Sequence, residues 1–197
     1  MADRALVLAS ASPRRRELLD QIGVEHRVAP VDLDESRGAG EAPPEYVVRL
    51  AREKAEAGWQ RLADREREVV LAADTAVVLG DDILGKPRDR ADGLAMLLQL
   101  SGRTHQVLTA VALRDAGGMA SQLSESLVTF RPISRDEAEQ YWATGEPRDK
   151  AGAYAIQGRA AVFIERIEGS YSGVMGLPLF ETARLLGAAG LGPARKP

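Results

Sequence analysis

Apolar positions along this chain change their period from segment to segment, and the changes lay out its elements. Leu6, Val7 and Leu8 read as a short buried strand, and Pro13 suits the first turn of a helix over residues 13–22 with Ser12 as its N-cap. Residues 25–29 predict a second short strand, followed by an acidic loop at 31–36 and a Gly/Ala/Pro-bearing stretch to Pro44, the segment expected to be most mobile. Residues 45–62 place Val47, Val48, Leu50, Ala51, Ala55 and Trp59 at helical spacing. An apolar run at 69–73 predicts a buried strand that 75–79 extend. A turn at 80–82 separates it from a helix over 91–100, apolar at Leu94, Leu97 and Leu98 and ended by Gly102. Residues 104–114 and 122–130 flank a turn at 115–120 and predict one long hairpin. Ser134 and Glu137 have capping-box spacing for a helix to Ala143. A strand at 162–167 and a last helix at 178–186 precede a Gly/Ala/Pro tail, 188–197, expected to fray. Strands, helices and an antiparallel hairpin together predict an α/β chain with an α+β mixed sheet. It is read as one domain in two lobes with the ligand site in a central cleft.

Composition narrows the chemistry. The chain has 197 residues, 45% of them hydrophobic and 28% charged, which describes a globular domain with a sizeable core. A net charge of −3 supplies no global basic field, so nucleic acid is not the expected partner and any anion site must be local. Without cysteine there is no disulfide, thiolate zinc site or cysteine nucleophile, and two histidines make no histidine-rich metal site. Oxygen-ligated metals remain open. No apolar run reaches the roughly 18 residues of a membrane span, and no signal-peptide core opens the chain, so a cytoplasmic location without a membrane partner is expected.

Three clusters carry candidate chemistry. Ser10 and Ser12 set hydroxyls, and Arg14, Arg15 and Arg16 set cations, where the first strand runs into its helix. A helix N-terminus carries roughly half a positive charge and binds phosphate. Three arginines there oppose the dipole, however, and a solvated basic turn explains the same residues. Asp74 and Thr75 follow a buried run at the place where α/β proteins bind ligands; a general base or metal ligand is one reading, an Asx-turn the other. Lys86, pinned by Pro87, and Lys54 each suit a phosphate, but each alone is an ordinary solvated lysine. Last, glycine-punctuated loops at 152–160 and 169–179 let backbone approach a ligand, and Gln157 can make a two-point contact to a base edge. Tyr154 and Tyr171 either stack on a base or belong to the core.

Taken in order, A-S-x-S-P-R-R, R-L-A-R-E-K-A, A-D-T, G-K-P-R-D, L-S-G-R-T-H-Q-V-x-T, T-G-E-P-x-D-K-A-G-A-Y-x-I-Q-G and I-x-G-S-Y-x-x-V-x-G-L-P-L cover most of the chain. This series resembles the Maf family of nucleotide pyrophosphatases, whose fold is inosine-triphosphate-pyrophosphatase-like. The resemblance implies hydrolysis of nucleoside triphosphates to monophosphate and pyrophosphate with a divalent metal, Mg²⁺ or Mn²⁺, in a homodimer. It implies Asp74 as proton acceptor and Arg14, Thr75 and Gln157 as positions of substrate choice. The G-A-Y-A-I-Q-G and G-S-Y forms are similar to the branch acting on dTTP and UTP rather than the one acting on 7-methyl-GTP. Arg159, Ala160 and Ala161 depart from the smaller or glycine-richer residues expected after I-Q-G.

The residue types suit that reaction. Cleavage between the α- and β-phosphates needs an activated water and cations on the transferring and leaving oxygens. Asp74 can orient or deprotonate the water or ligate a metal, with Glu35 as its partner on Mg²⁺ and Asp32 and Asp34 as rival candidates in the same loop. Arg14, Arg15, Lys54 and Lys86 would hold phosphates, and Ser10 and Ser12 would donate hydroxyls. The alternative is a nucleotide-binding regulator of cell division with little turnover; the presence of Asp74 and Lys86 favours the enzyme. A nucleic-acid binder acting through the basic turn lacks a basic face and an aromatic platform.

Overall fold

The computed structural model describes residues 4–192. Strand β1 (Ala5–Leu8) lies between two parallel neighbours, β2 (His26–Val28) and β3 (Glu68–Leu79), with Leu6 opposite His26 on one side and Val69 on the other. Parallel neighbours need crossovers. Helix α1 (Pro13–Gln21) supplies the first and α2 (Pro43–Gln60) the second. Val7, Leu8, Val69, Val70 and Leu71 are completely buried, which accounts for their unbroken apolar runs: both faces of these strands are covered.

At Gly80 (φ +63°) β3 turns into β4 (Asp82–Leu84), which pairs with it antiparallel. Helix α3 (Arg90–Leu100) starts where the Asp89 carboxylate accepts the Asp92 N–H. A two-residue connection joins β5 (Thr104–Asp115) to β6 (Gly118–Phe130). This hairpin turn is tighter than the six residues expected, because the Asp115 carboxylate accepts the Gly117 N–H and Gly118 takes a positive φ. The predicted capping box is present on α4 (Arg135–Ala143): the Ser134 hydroxyl accepts the Glu137 N–H and Glu137 accepts the Ser134 N–H. Short 3₁₀ turns follow at Glu146–Asp149, Ala151–Ala153 and Arg159–Phe163, then β7 (Ile164–Glu168), antiparallel to β6, and helices α5 (Tyr171–Met175) and α6 (Leu179–Ala188). The strand expected from 162 thus begins at Ile164; the residues before it wind into a 3₁₀ turn, leaving Val162 exposed. Of the tail expected to fray, residues 188–191 finish α6 and its cap, while 193–197 lie outside the described residues.

The seven strands make one mixed sheet in the order β2-β1-β3-β5-β6-β7, with β4 beside β3. The α/β class with a mixed sheet is therefore as the sequence predicts. Two compact units divide the chain. One gathers Met1–Asp74, Thr109–Ser124 and Gly176–Pro197, and the other Thr75–Leu108 and Glu125–Met175. The second unit has its own core, in which Leu97, Leu100 and Phe130 pack with Tyr141, Tyr154 and Phe163. Gly93 on α3 touches Trp142 of α4 so closely that a Cβ there would stand 2.2 Å from the indole.

Candidate active site

Asp74 is the residue around which charge gathers in the first unit. It stands three positions beyond the last β1–β3 pair, Leu8 with Leu71, and so at the carboxyl end of β1. The strand runs on past Asp74 to Leu79, the extension that residues 75–79 predict. Asp74 is only 7% exposed, and its Oδ1 accepts a hydrogen bond from the Lys54 ammonium at 2.7 Å. Lys54 is itself buried, and its Nζ meets Glu35 Oε1 at 2.6 Å. A buried charge is tolerated only with a partner, and here one ammonium serves two carboxylates.

Helix α2 makes this possible at Gly58, one turn beyond Lys54 on the same face. A Cβ there would lie 2.9 Å from Val70 Cγ1 and 3.1 Å from Ala9 Cβ, so the helix sits directly on β3 and on the residue that follows β1. Tyr46, two turns before Lys54, donates its hydroxyl to the Glu35 carbonyl at 3.0 Å. Burial raises its phenol pKa, and Asp74 and Glu35 add to the rise. Residue type alone does not single out Tyr46; its spacing of eight from Lys54, which keeps the two near one helical face, is the signal that finds it.

The loop after β1 contributes the cations. Ser10 Oγ accepts the Ser12 N–H at 3.2 Å and the Arg15 guanidinium at 3.1 Å, while Arg15 Nε donates to the Gly176 carbonyl at 2.8 Å. Ser12 occupies the N-cap position of α1, but its hydroxyl makes no capping bond. Desolvation lowers the pKa of Arg15, with Asp74 opposing and Arg14 adding to the fall. For Asp74 burial dominates and raises the pKa, against the pull of Lys54 and Arg15.

Of the three acidic-loop candidates, Glu35 is the one that joins this cluster. Asp34 is engaged with the N–H and hydroxyl of Ser36, and Asp32 is exposed. Among the described residues no group of three or more His, Asp and Glu side chains is placed to hold a metal. Asp74 and Glu35 nevertheless present oxygens that converge on a single nitrogen. Mg²⁺ is commonly held by one or two carboxylates together with substrate phosphates, so the pair fits such a cation.

Ser10, Arg15, Glu35, Lys54 and Asp74 are thus brought together, with Arg14 electrostatically coupled to Arg15. Thr75, Lys86 and Gln157 belong to the second unit. Thr75 is half-buried on β3. Lys86 is exposed, has no ion-pair partner among the described residues, and lines an open pocket with Asp82, Arg88 and Asp92. Gln157 is exposed and its carboxamide makes no hydrogen bond among the described residues. Tyr154 belongs to the core, with its hydroxyl 2.9 Å from His105 Nε2, whereas Tyr171 is 48% exposed.

Residues 5–189 match the family described as Maf-like protein. Among curated relatives, a dTTP/UTP pyrophosphatase of Alkalilimnicola ehrlichii is 61% identical over 184 residues, covering 92% of this chain and 91% of the relative. Proteins of the same name from Saccharophagus degradans and Aromatoleum aromaticum are each 56% identical, covering 93% and 94% of this chain and 88% and 95% of their own lengths.

Proposed function

This chain belongs to the Maf-like family, and from that premise we propose that it hydrolyses nucleoside triphosphates, dTTP and UTP foremost, to the monophosphate and pyrophosphate. The observation that carries the reading is the buried Asp74 carboxylate, bonded to Lys54 and lying in the field of Arg15 and Glu35. A water oxygen attacks the α-phosphorus, the bond to the bridging oxygen breaks, pyrophosphate leaves, and the proton of the water passes to Asp74. Burial raises the pKa of that carboxyl, which makes it a stronger base than a solvated aspartate, while Lys54 and Arg15 pull in the opposite direction and favour its charged form.

Arg14, Arg15, Lys54 and Lys86 are assigned to the phosphates, and Ser10 and Ser12 to hydroxyl contacts with them. Thr75 and Gln157 are assigned to substrate choice. Asp74 and Glu35 would hold a divalent cation, Mg²⁺ or Mn²⁺, whose chemistry is to neutralise phosphate charge. The Gln157 carboxamide matches the adjacent carbonyl and N–H of a uracil or thymine ring, whereas cytosine presents the inverse pattern. From the family we also infer a homodimer acting in the cytoplasm, with neither membrane nor nucleic acid as partner. Among the described residues no helix is long and apolar enough to cross a membrane.

Steady-state rates on UTP, dTTP, CTP and ATP test this, with wild type beside Asp74→Asn and Gln157→Ala. UTP and dTTP should exceed CTP and ATP in kcat/KM, and Gln157→Ala should erase the preference, because a site built around a substrate hydrogen bond rejects mismatched partners. Asp74→Asn should lose about 10²–10⁴-fold in turnover while still binding triphosphate, the usual loss for a general base. Equal rates on UTP and CTP would remove the base assignment, and an Asp74→Asn enzyme within a few-fold of wild type would remove Asp74 from the chemistry.

A further inference from the structure

We propose that Glu146 and Tyr141 are positioning residues for base recognition, locking the short loop that presents Gln157. The proposal rests on Gln157 as the base-reading residue. Tyr141 lies on α4 and is 4% exposed. Its hydroxyl accepts the Ala155 N–H at 3.1 Å and donates to Glu146 Oε1 at 2.6 Å. Glu146 Oε2 in turn accepts the Arg159 N–H at 3.0 Å, and Oε1 lies 3.5 Å from the Ala160 nitrogen. One two-residue bridge therefore holds the backbone on both sides of Gln157.

The loop is closed from within as well. The Gly158 N–H donates to the Ala155 carbonyl at 3.0 Å, making a turn in which Gln157 is the penultimate residue. Gly158 has φ −105°, so its backbone conformation does not demand glycine. Space does: a Cβ there would meet both Glu146 carboxylate oxygens at 2.3 Å. The carboxylate passes under the loop where only a missing side chain lets it pass. There it also caps the 3₁₀ turn that follows, which accounts for the late start of β7.

Hydrogen bonds to an ionised carboxylate are roughly twice as strong as neutral ones, so this is a stiff fastening for a segment at the surface. Stiffness matters for what Gln157 is asked to do. Its own carboxamide is unbonded among the described residues, so the backbone alone aims it. Telling uracil from cytosine requires an amide whose donor and acceptor stay in place to within about 0.5 Å. A loose loop would let the group slide out of register with the uracil carbonyl and N–H that it is matched to.

The test reads the ratio of kcat/KM for UTP over CTP, with KM and kcat separately, in Glu146→Ala, Glu146→Gln and Tyr141→Phe, each alone and combined with Gln157→Ala. Glu146→Ala should lower the ratio about tenfold or more, mainly through KM for UTP, and Glu146→Gln should recover part of it by keeping one acceptor. Combined with Gln157→Ala, neither change should move the ratio further, because both act through that side chain. A ratio unchanged in Glu146→Ala, or one that falls equally with and without Gln157, overturns the proposal. Should Glu146→Ala fail to fold, Tyr141→Phe removes one hydroxyl and is read by the same criteria. A wild type with no preference for UTP removes the base assignment and this inference with it; a wild-type preference that the variants leave intact removes the inference alone.

Discussion

His105 stands edge-on to Phe130 and Tyr154, with ring centroids 5.1 and 5.5 Å away, and is 2% exposed. Its Nε2 meets the Tyr154 hydroxyl, while its buried Nδ1 has no hydrogen-bond partner among the described residues. Burial pushes its pKa down to about 4 from an ordinary 6.5. Above pH 6.5 neither the folded nor the unfolded chain protonates this ring, and its full contribution to stability is present. As pH falls from there towards 4 the unfolded chain takes up a proton that the core refuses, removing up to about 3 kcal/mol. Urea unfolding midpoints measured across this window should fall less steeply for a non-titrating His105→Gln variant, compared slope against slope, than for wild type. Parallel slopes would assign the acid sensitivity to other groups.

At the scale of an element, α2 shows how one small residue sets a site. Replacing Gly58 by alanine gains about 1 kcal/mol of helix propensity. It also places a methyl 2.9 Å from Val70 Cγ1, in a region where Val70 is completely buried. Overpacking of that kind costs roughly 1–3 kcal/mol, so the steric effect should win. Gly58→Ala is expected to unfold at lower urea and, with Lys54 one turn away, to turn over more slowly even where it is fully folded. A variant as stable and as fast as wild type would show that the helix can lift without disturbing the Lys54–Asp74 pair. The periodicity of residues 45–62 and the apolar run at 69–73 made α2 and the first half of β3 legible in the sequence, and residue type picked out Lys54 and Asp74. Their meeting was not legible, since it depends on a close approach at Gly58 that no spacing encodes. The same holds for Ser12, whose N–H is taken by Ser10 rather than matched by its own hydroxyl in a cap. Glu146 was visible only as a letter in a motif, because its partners include backbone N–H groups, which carry no side-chain signature.

For the molecule as a whole, the first unit is assembled from three separated stretches of chain. Arg15 is held by the carbonyl of Gly176, and Arg4 donates to the carbonyl of Ala189 at 2.9 Å. A chain ending after Met175 would retain every side chain assigned here to phosphate, water and base, yet lack the carbonyl that aims Arg15 and the helix α6 of the same unit. It should show no measurable turnover, and a separate peptide of residues 176–197 should restore part of it; a truncated chain working near the full rate would mean that the C-terminal stretch is dispensable to the site. The order of synthesis gives that tether a meaning in time. Asp74 and Lys54 leave the ribosome long before Gly176 does, so the growing polypeptide carries the Lys54–Asp74 pair before Arg15 has the carbonyl that orients it, and turnover is expected only once Gly176 and helix α6 have emerged.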